Sequence, residues 1–228
     1  MFARPRGGGV TLELSPVLES WNAKDHPDQV RLAAYLDEMV KSVALEGTAD
    51  HLALELIVGL PTSKSLAAGG GDLDNYLFPV ARRLGAKRFD AVFGAKRHSD
   101  ASTVAVSPAV EARPTRPPDM TVRTTESASS RAWKERVRAA CASAAPSSPI
   151  SGPISIDIEF RLSSARNWAT LWKPAIDSLG PLLGTPDSKK PFAPADDRIV
   201  ALGLHRHLDE ALGWDIALQV WWAGATRA

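Results

Sequence analysis

The chain has 228 residues, 44% of them hydrophobic and 23% charged, and a formal net charge of +1. That is the composition of a folded globular protein with room for a sizeable core, not of a disordered or fibrous chain. A near-neutral balance gives no global attraction to nucleic acid or anionic lipid, so a nucleic-acid role needs a local patch. The single cysteine, Cys141, excludes an internal disulfide framework and a cysteine-based zinc cluster, and it suits a reducing cytoplasm. Residues 1–9 carry no apolar segment of the kind a secretory signal needs, and no apolar run reaches membrane-span length.

In chain order, residues 10–17 alternate in part and predict a strand. Residues 28–45 carry Val30, Leu32, Ala33, Leu36, Met39, Val40 and Val43 at helical spacing. Residues 52–58 predict a strand stopped by Gly59-Leu60-Pro61, and 63–71 a small-residue loop. Asp72-Leu73-Asp74-Asn75 leads into a short helix over 76–84, ended by Gly85, with Pro79 expected in its first turn. Strands follow over 89–96 and 102–110. The proline-, serine- and threonine-rich stretch 111–130 is the clearest linker, with a new strand starting at 120–123. The rest predicts a helix over 131–145, a strand over 154–160, a helix over 167–179, and strands over 197–205 and 215–222.

The two halves repeat one order of elements, which points to an internal duplication. Leu54-Glu55-Leu56 matches Ile156-Asp157-Ile158, and residues 72–85 lie without a gap on 167–180, proline on proline and Leu-Gly on Leu-Gly. Trp21 matches Trp133, and Asp90 is placed on Asp197. The expected architecture is α/β (α+β): two similar small mixed-sheet units, 1–110 and 120–228, joined by 111–119 and packed as an intramolecular pseudo-dimer with approximate two-fold symmetry.

Three places could carry chemistry. Asp72 and Asp74, two apart in an extended segment, would face one side, and paired carboxylates repel unless a cation sits between them. Hard oxygen ligands suit Mg²⁺ or Mn²⁺, with Asp90 as a third ligand. Equally, Asp74 or Asn75 could simply cap the helix. Arg82, Arg83, Lys87, Arg88, Lys96 and Arg97 form a basic stretch that phosphate contacts would need, although cations also favour a helix C-terminus. Lys173 and the Asp196-Asp197 pair stand in the second half, where a lysine near a phosphate can steady developing charge, or can be an ordinary surface lysine. His205 and His207 share a strand face without metal-site spacing. Six of the seven tryptophans fall from Trp133 onward, for a core, an interface or stacking on bases.

A strand, a loop, Asp-Leu-Asp-Asn opening a helix, then an aspartate at the start of a strand that ends in basic residues resembles the RusA-type Holliday junction resolvases. The resemblance implies small α/β homodimers with two Mg²⁺-dependent sites flanking a basic cleft for four-way DNA junctions. It assigns the catalytic and metal positions to Asp72, Asp74 and Asp90. The family's lysine position falls on Phe78, and the first aspartate of its later pair on Phe89. In the second half Lys173 takes the lysine position and Asp196-Asp197 the later pair, while Asn167 and Ala169 replace the leading aspartates. The expected function is therefore a metal-dependent endonuclease on branched DNA, with one surviving site in the first half and a remnant in the second. The alternative is a DNA-binding or assembly protein that kept the fold and lost the chemistry.

Overall fold

The computed structural model describes every residue except 8, 19–24, 44, 46–49, 70 and 226–228. Trp21, and Ala44 near the end of the first predicted helix, fall outside the described residues. Eight strands form one mixed sheet: β1 (Val10–Thr11), β2 (Leu52–Leu60), β3 (Phe89–His98), β4 (Thr103–Pro108), β5 (Met120–Thr124), β6 (Ile154–Leu162), β7 (Ile199–Leu208) and β8 (Ile216–Gly224). Five helices accompany them: α1 (Pro27–Val43), α2 (Leu73–Leu84), α3 (Arg131–Ala144), α4 (Trp172–Asp177) and α5 (Gly180–Leu183). The class is α+β, with a single continuous sheet in place of two separate small ones.

The order across the sheet is β1-β4-β2-β3-β7-β6-β8-β5, the same read inward from either edge. Registers repeat as well. Val10 lies opposite Val104, and Met120 opposite Val220. Parallel β2–β3 and β6–β7 each slip at one residue, between Leu52 and Ala53 and between Ile154 and Ser155. Phe89 is thus the counterpart of Ile199, and Asp90 that of Val200. The match of Asp90 with Asp197 is therefore corrected by three residues. The central seam is antiparallel β3–β7, centred on Phe93 opposite Gly203.

Alternation explains which face is filled. Leu52, Leu54, Leu56 and Val58 of β2, and Ile154, Ile156, Ile158, Phe160 and Leu162 of β6, enter the main core with the helices. Their neighbours Glu55, Asp157 and Glu159 face the other side. There the linker segment crosses as an ordered strap, Trp221 Nε1 donating to the Arg116 carbonyl and the Ala109 amide to the His51 carbonyl. Leu32, Tyr35 and Met39 form the buried stripe of α1, and Trp133, Val137 and Cys141 that of α3. Ser130 caps α3 by accepting from the Trp133 amide.

Several boundaries differ from expectation. The first strand has two residues, Val10–Thr11. The helix beginning with the acidic motif starts at Leu73, so Pro79 lies in its interior and not in its first turn. The predicted helix over 167–179 is broken into a 3₁₀ turn at Trp168–Leu171, then α4 and α5. Residues Asp196–Arg198 form a 3₁₀ turn ahead of β7.

Helix α2 approaches β3 closely at Gly94, where an added Cβ would meet Leu77 Cδ1 at 3.0 Å and Leu73 Cδ2 at 3.3 Å. That contact fixes the helix carrying Asp72 and Asp74. Gly94→Val should therefore destabilise the chain by about 1–3 kcal/mol, the usual cost of overpacking. A urea midpoint equal to wild type would show that α2 can slide without cost.

Candidate metal centre

The strand β2 delivers the chain to the loop before α2, and the helix then runs back over the sheet. Asp72 is at its N-cap and Asp74 in its first turn. The Asp72 side chain makes no capping bond; its Oδ2 accepts from Asn75 Nδ2 at 2.9 Å. The expectation that Asp74 or Asn75 caps the helix is corrected: the N-cap is Asp72, and both of those residues lie inside the first turn. Because β7 is antiparallel to β3, the turn that opens β7 lies at this same end of the sheet, and it brings in Asp196. One carboxylate oxygen from each of Asp72, Asp74 and Asp196 lies within 4.8 Å of the other two. Such a cluster can hold a metal ion.

Asp74 is 3% exposed, and its buried Oδ2 has no hydrogen-bond partner. The nearest cation is Lys173 of α4, with Nζ 3.6 Å from Asp74 Oδ2, 3.9 Å from Asp196 Oδ2 and 3.3 Å from Asp177 Oδ1. Lys134 also holds Asp177, at 2.8 Å. Phe78, at the place a lysine was sought in the first half, packs edge-on against Trp172 beside Lys173. The cation thus comes from the second half to carboxylates of the first.

A second lysine organises the loops. Lys96 is 4% exposed and donates to the carbonyls of Gly71 at 3.0 Å and Asp197 at 2.5 Å. The Asp197 carboxylate accepts from the Gly69 amide at 3.0 Å. Asp197 therefore ties the glycine loop to the second half, while Asp196 faces the cluster.

The electrostatics follow from burial. Burial pushes Asp74 up to about 6, aided by Asp72 and Asp177 and opposed by Lys173. Asp196 is pushed up to about 7 by burial and by the charges of Asp72 and Asp74, again opposed by Lys173. Asp72 is raised by burial, against Lys173 and Lys96. Burial would lower Lys173, but Asp74, Asp177 and Asp196 outweigh it and raise it. Lys96 is lowered by burial despite Asp197, Asp72 and Asp196.

Two expectations are corrected. Asp90 is not in the cluster: α2 carries the chain about 15 Å from Asp74 to Leu84 before β3 begins. Its carboxylate instead meets Arg206 at 2.6 Å and His51 at 2.8 Å. The basic stretch is also divided. Arg82, Arg83, Lys87 and Arg88 lie at the end of the sheet where α2 finishes, with Arg83 on Asp37 and Arg88 beside Asp50. Lys96 and Arg97 lie at the other end, and Lys96 is turned inward. Only Arg97 of that pair is exposed. Lys134 and Asp177 were missed by sequence reasoning; the Lys173–Asp177 i,i+4 spacing was the signal for the second.

Comparison with protein-family models, with curated proteins and with solved structures yields no match.

The pKa directions set a sign. Both Asp74 and Asp196 sit above the ordinary carboxylate value, so the folded chain holds their protons more tightly than the unfolded chain. Their contribution to stability is fully present below 3.8 and is lost as pH rises through about 6 and about 7. In EDTA, wild type should lose stability relative to Asp196→Asn between roughly pH 4 and 7, the unfolded and folded values of Asp196. Parallel denaturation midpoints for the two proteins across that window would contradict this site electrostatics.

Proposed function

We propose that the chain is a divalent-metal-dependent endonuclease acting on branched or structured DNA through one composite site. The observation that carries the reading is the convergence of Asp72 and Asp74 from the first half with Asp196 from the second, around a buried Asp74 Oδ2 that has Lys173 nearby but accepts no hydrogen bond among the described residues. Three carboxylates suit Mg²⁺ or Mn²⁺, whose remaining coordination positions are usually taken by water and phosphate oxygens. A bound ion there would supply an activated water and stabilise the leaving oxygen. Lys173 stands beside the carboxylates, where its ammonium would meet a phosphate and steady its developing charge. Lys96 and Asp197 hold the loops that position the carboxylates.

The resemblance to RusA-type resolvases supports the same reading and gains a physical account. In a fused homodimer whose sites draw aspartates from one unit and lysine plus later aspartate from the other, one retained site needs only half the motif from each. Here the first half keeps Asp72 and Asp74, and the second keeps Lys173 and Asp196. The residues of the other composite site, Asn167, Ala169 and Phe78, are the ones lost. This replaces the expectation of a self-sufficient first-half site with a remnant beside it.

Thermal melts with Mn²⁺ test the reading first, since an ion at 100 times its Kd stabilises by about 2.7 kcal/mol. The shift should vanish in Asp74→Asn and Asp196→Asn. A single site should nick one strand of a junction per binding event, and Lys173→Met should slow nicking by roughly 10²–10³-fold if it stabilises transition-state charge. Asp90→Asn should keep the nicking but lower stability by about 3–5 kcal/mol, because it leaves Arg206 buried without its partner. No Mn²⁺ shift in wild type would favour the alternative of a DNA-binding or assembly protein whose cluster Lys173 neutralises permanently.

A further inference from the structure

At the opposite end of β7, about 30 Å along the strand from Asp196 by strand rise, the loops around β5, β6 and β8 enclose an open cavity of about 430 Å³. Its walls include Ser127, Ser129, Arg166, Asn167, Thr170 and Trp214, and no acidic side chain lines it among the described residues. Trp214 is 68% exposed, the most exposed large apolar side chain among the described residues. The Arg166 guanidinium sits over its ring at 5.9 Å from the centroid, and among the described residues Arg166 has no carboxylate partner. Asn167 takes the helix-start place that Asp72 has in the first half, but its side chain makes no capping bond. The nearby carboxylates are occupied elsewhere. Glu210 accepts from the Ser164 amide at 2.9 Å, and Asp215 pairs with Arg123 at 2.6 Å.

These features have a common chemistry. A flat exposed indole with an arginine beside it offers a stacking surface for a base and a cation for the adjoining phosphate. The Asn167 amide, and whichever of the mutually bonded Ser127 and Ser129 hydroxyls keeps its hydrogen free, offer neutral donors to phosphate and sugar oxygens, while the Thr170 hydroxyl donates to the Asn167 carbonyl. The volume is within the range of sites that enclose a small ligand. A metal ion has no place here, because Asn167 and Ala169 stand where the other end has Asp72 and Asp74.

We propose that this pocket binds a nucleotide within a single-stranded stretch of nucleic acid, the base stacking on Trp214 and the phosphate meeting Arg166. The proposal rests on the nuclease reading for its substrate class, but it concerns a different site that needs no metal. The molecule then has one end that cuts and one that holds an unpaired strand.

The test is fluorescence anisotropy of a short labelled oligothymidylate with the full chain in EDTA at low salt. Trp214→Ala should weaken binding by about tenfold or more, and Trp214→Phe should restore most of it because a flat ring remains. Arg166→Ala should reduce the slope of log K against log salt by about 0.7, one phosphate on a single strand. Thymidine monophosphate should compete poorly; competition as strong as the strand's would show a free-nucleotide pocket and overturn the proposal. No wild-type binding, or Trp214→Ala binding like wild type, would also overturn it. The two readings fail separately. Trp214-dependent binding without a Mn²⁺ shift or nicking removes only the nuclease, and a Mn²⁺ shift and nicking with Trp214-independent binding remove only the pocket.

Discussion

The antiparallel pairing of β3 with β7 is the constraint on which the rest depends. It places Ala91–Ala95 against Ala201–His205, so the finish of one strand lies beside the start of the other. The aspartates at the start of α2 and an aspartate before β7 are 122 residues apart in the chain at their closest (Asp74 to Asp196), yet they arrive at one end of the seam. Parallel pairing would have sent Asp196 to the far end. Tight passage at the centre comes from Gly203, where any Cβ would collide with the Asp157 carboxylate.

The seam also gives equivalent positions different work. By the repeated register Lys96 and Arg206 are counterparts, each near the finish of its strand and each buried. Lys96 donates to two carbonyls and joins the loops of both halves, and among the described residues no carboxylate pairs with it directly. Arg206 instead pairs with Asp90, whose counterpart at the Lys96 end is Val200. An ammonium without a carboxylate beside an acidic cluster offsets the repulsion of the cluster while leaving its oxygens open. A guanidinium closed by its own carboxylate offers nothing to a ligand. The difference in charge between the two ends is thus built into one pair of positions.

Element types were legible because alternation and helical spacing are local. Strand β6 alternates without a flaw, and α3 carries its stripe at Trp133, Val137 and Cys141. The acidic motif was also legible, since Asp72 and Asp74 lie together at a helix start. Asp90 misled because its position at the start of a strand looks the same whether the strand begins near the motif or a helix length away. Asp196 and Lys173 were visible as residues but not as members of that site, because strand pairing across the halves is not a local property. The break of the predicted helix at 171–172 has a packing cause. Trp168 and Trp172 stack edge-to-face at 4.8 Å, and the Trp168 indole donates to the Ala86 carbonyl, which holds Trp168–Leu171 in the tighter turn.

Those tryptophans mark a difference in how the two ends are built. Holding Asp72, Asp74 and Asp196 together costs stability, as their raised affinities for protons show. At the other end Ala169 is buried and neutral where this end has Asp74, and Trp168 packs edge-on against Phe160 and Trp172. Burying an indole with its N–H satisfied adds apolar contact without desolvating a charge. One sheet thus carries a strained acidic cluster at one end and, at the other, packed tryptophans beside a buried ion pair that is closed on itself. The asymmetry of charge, more than the symmetry of strands, determines what each end can bind.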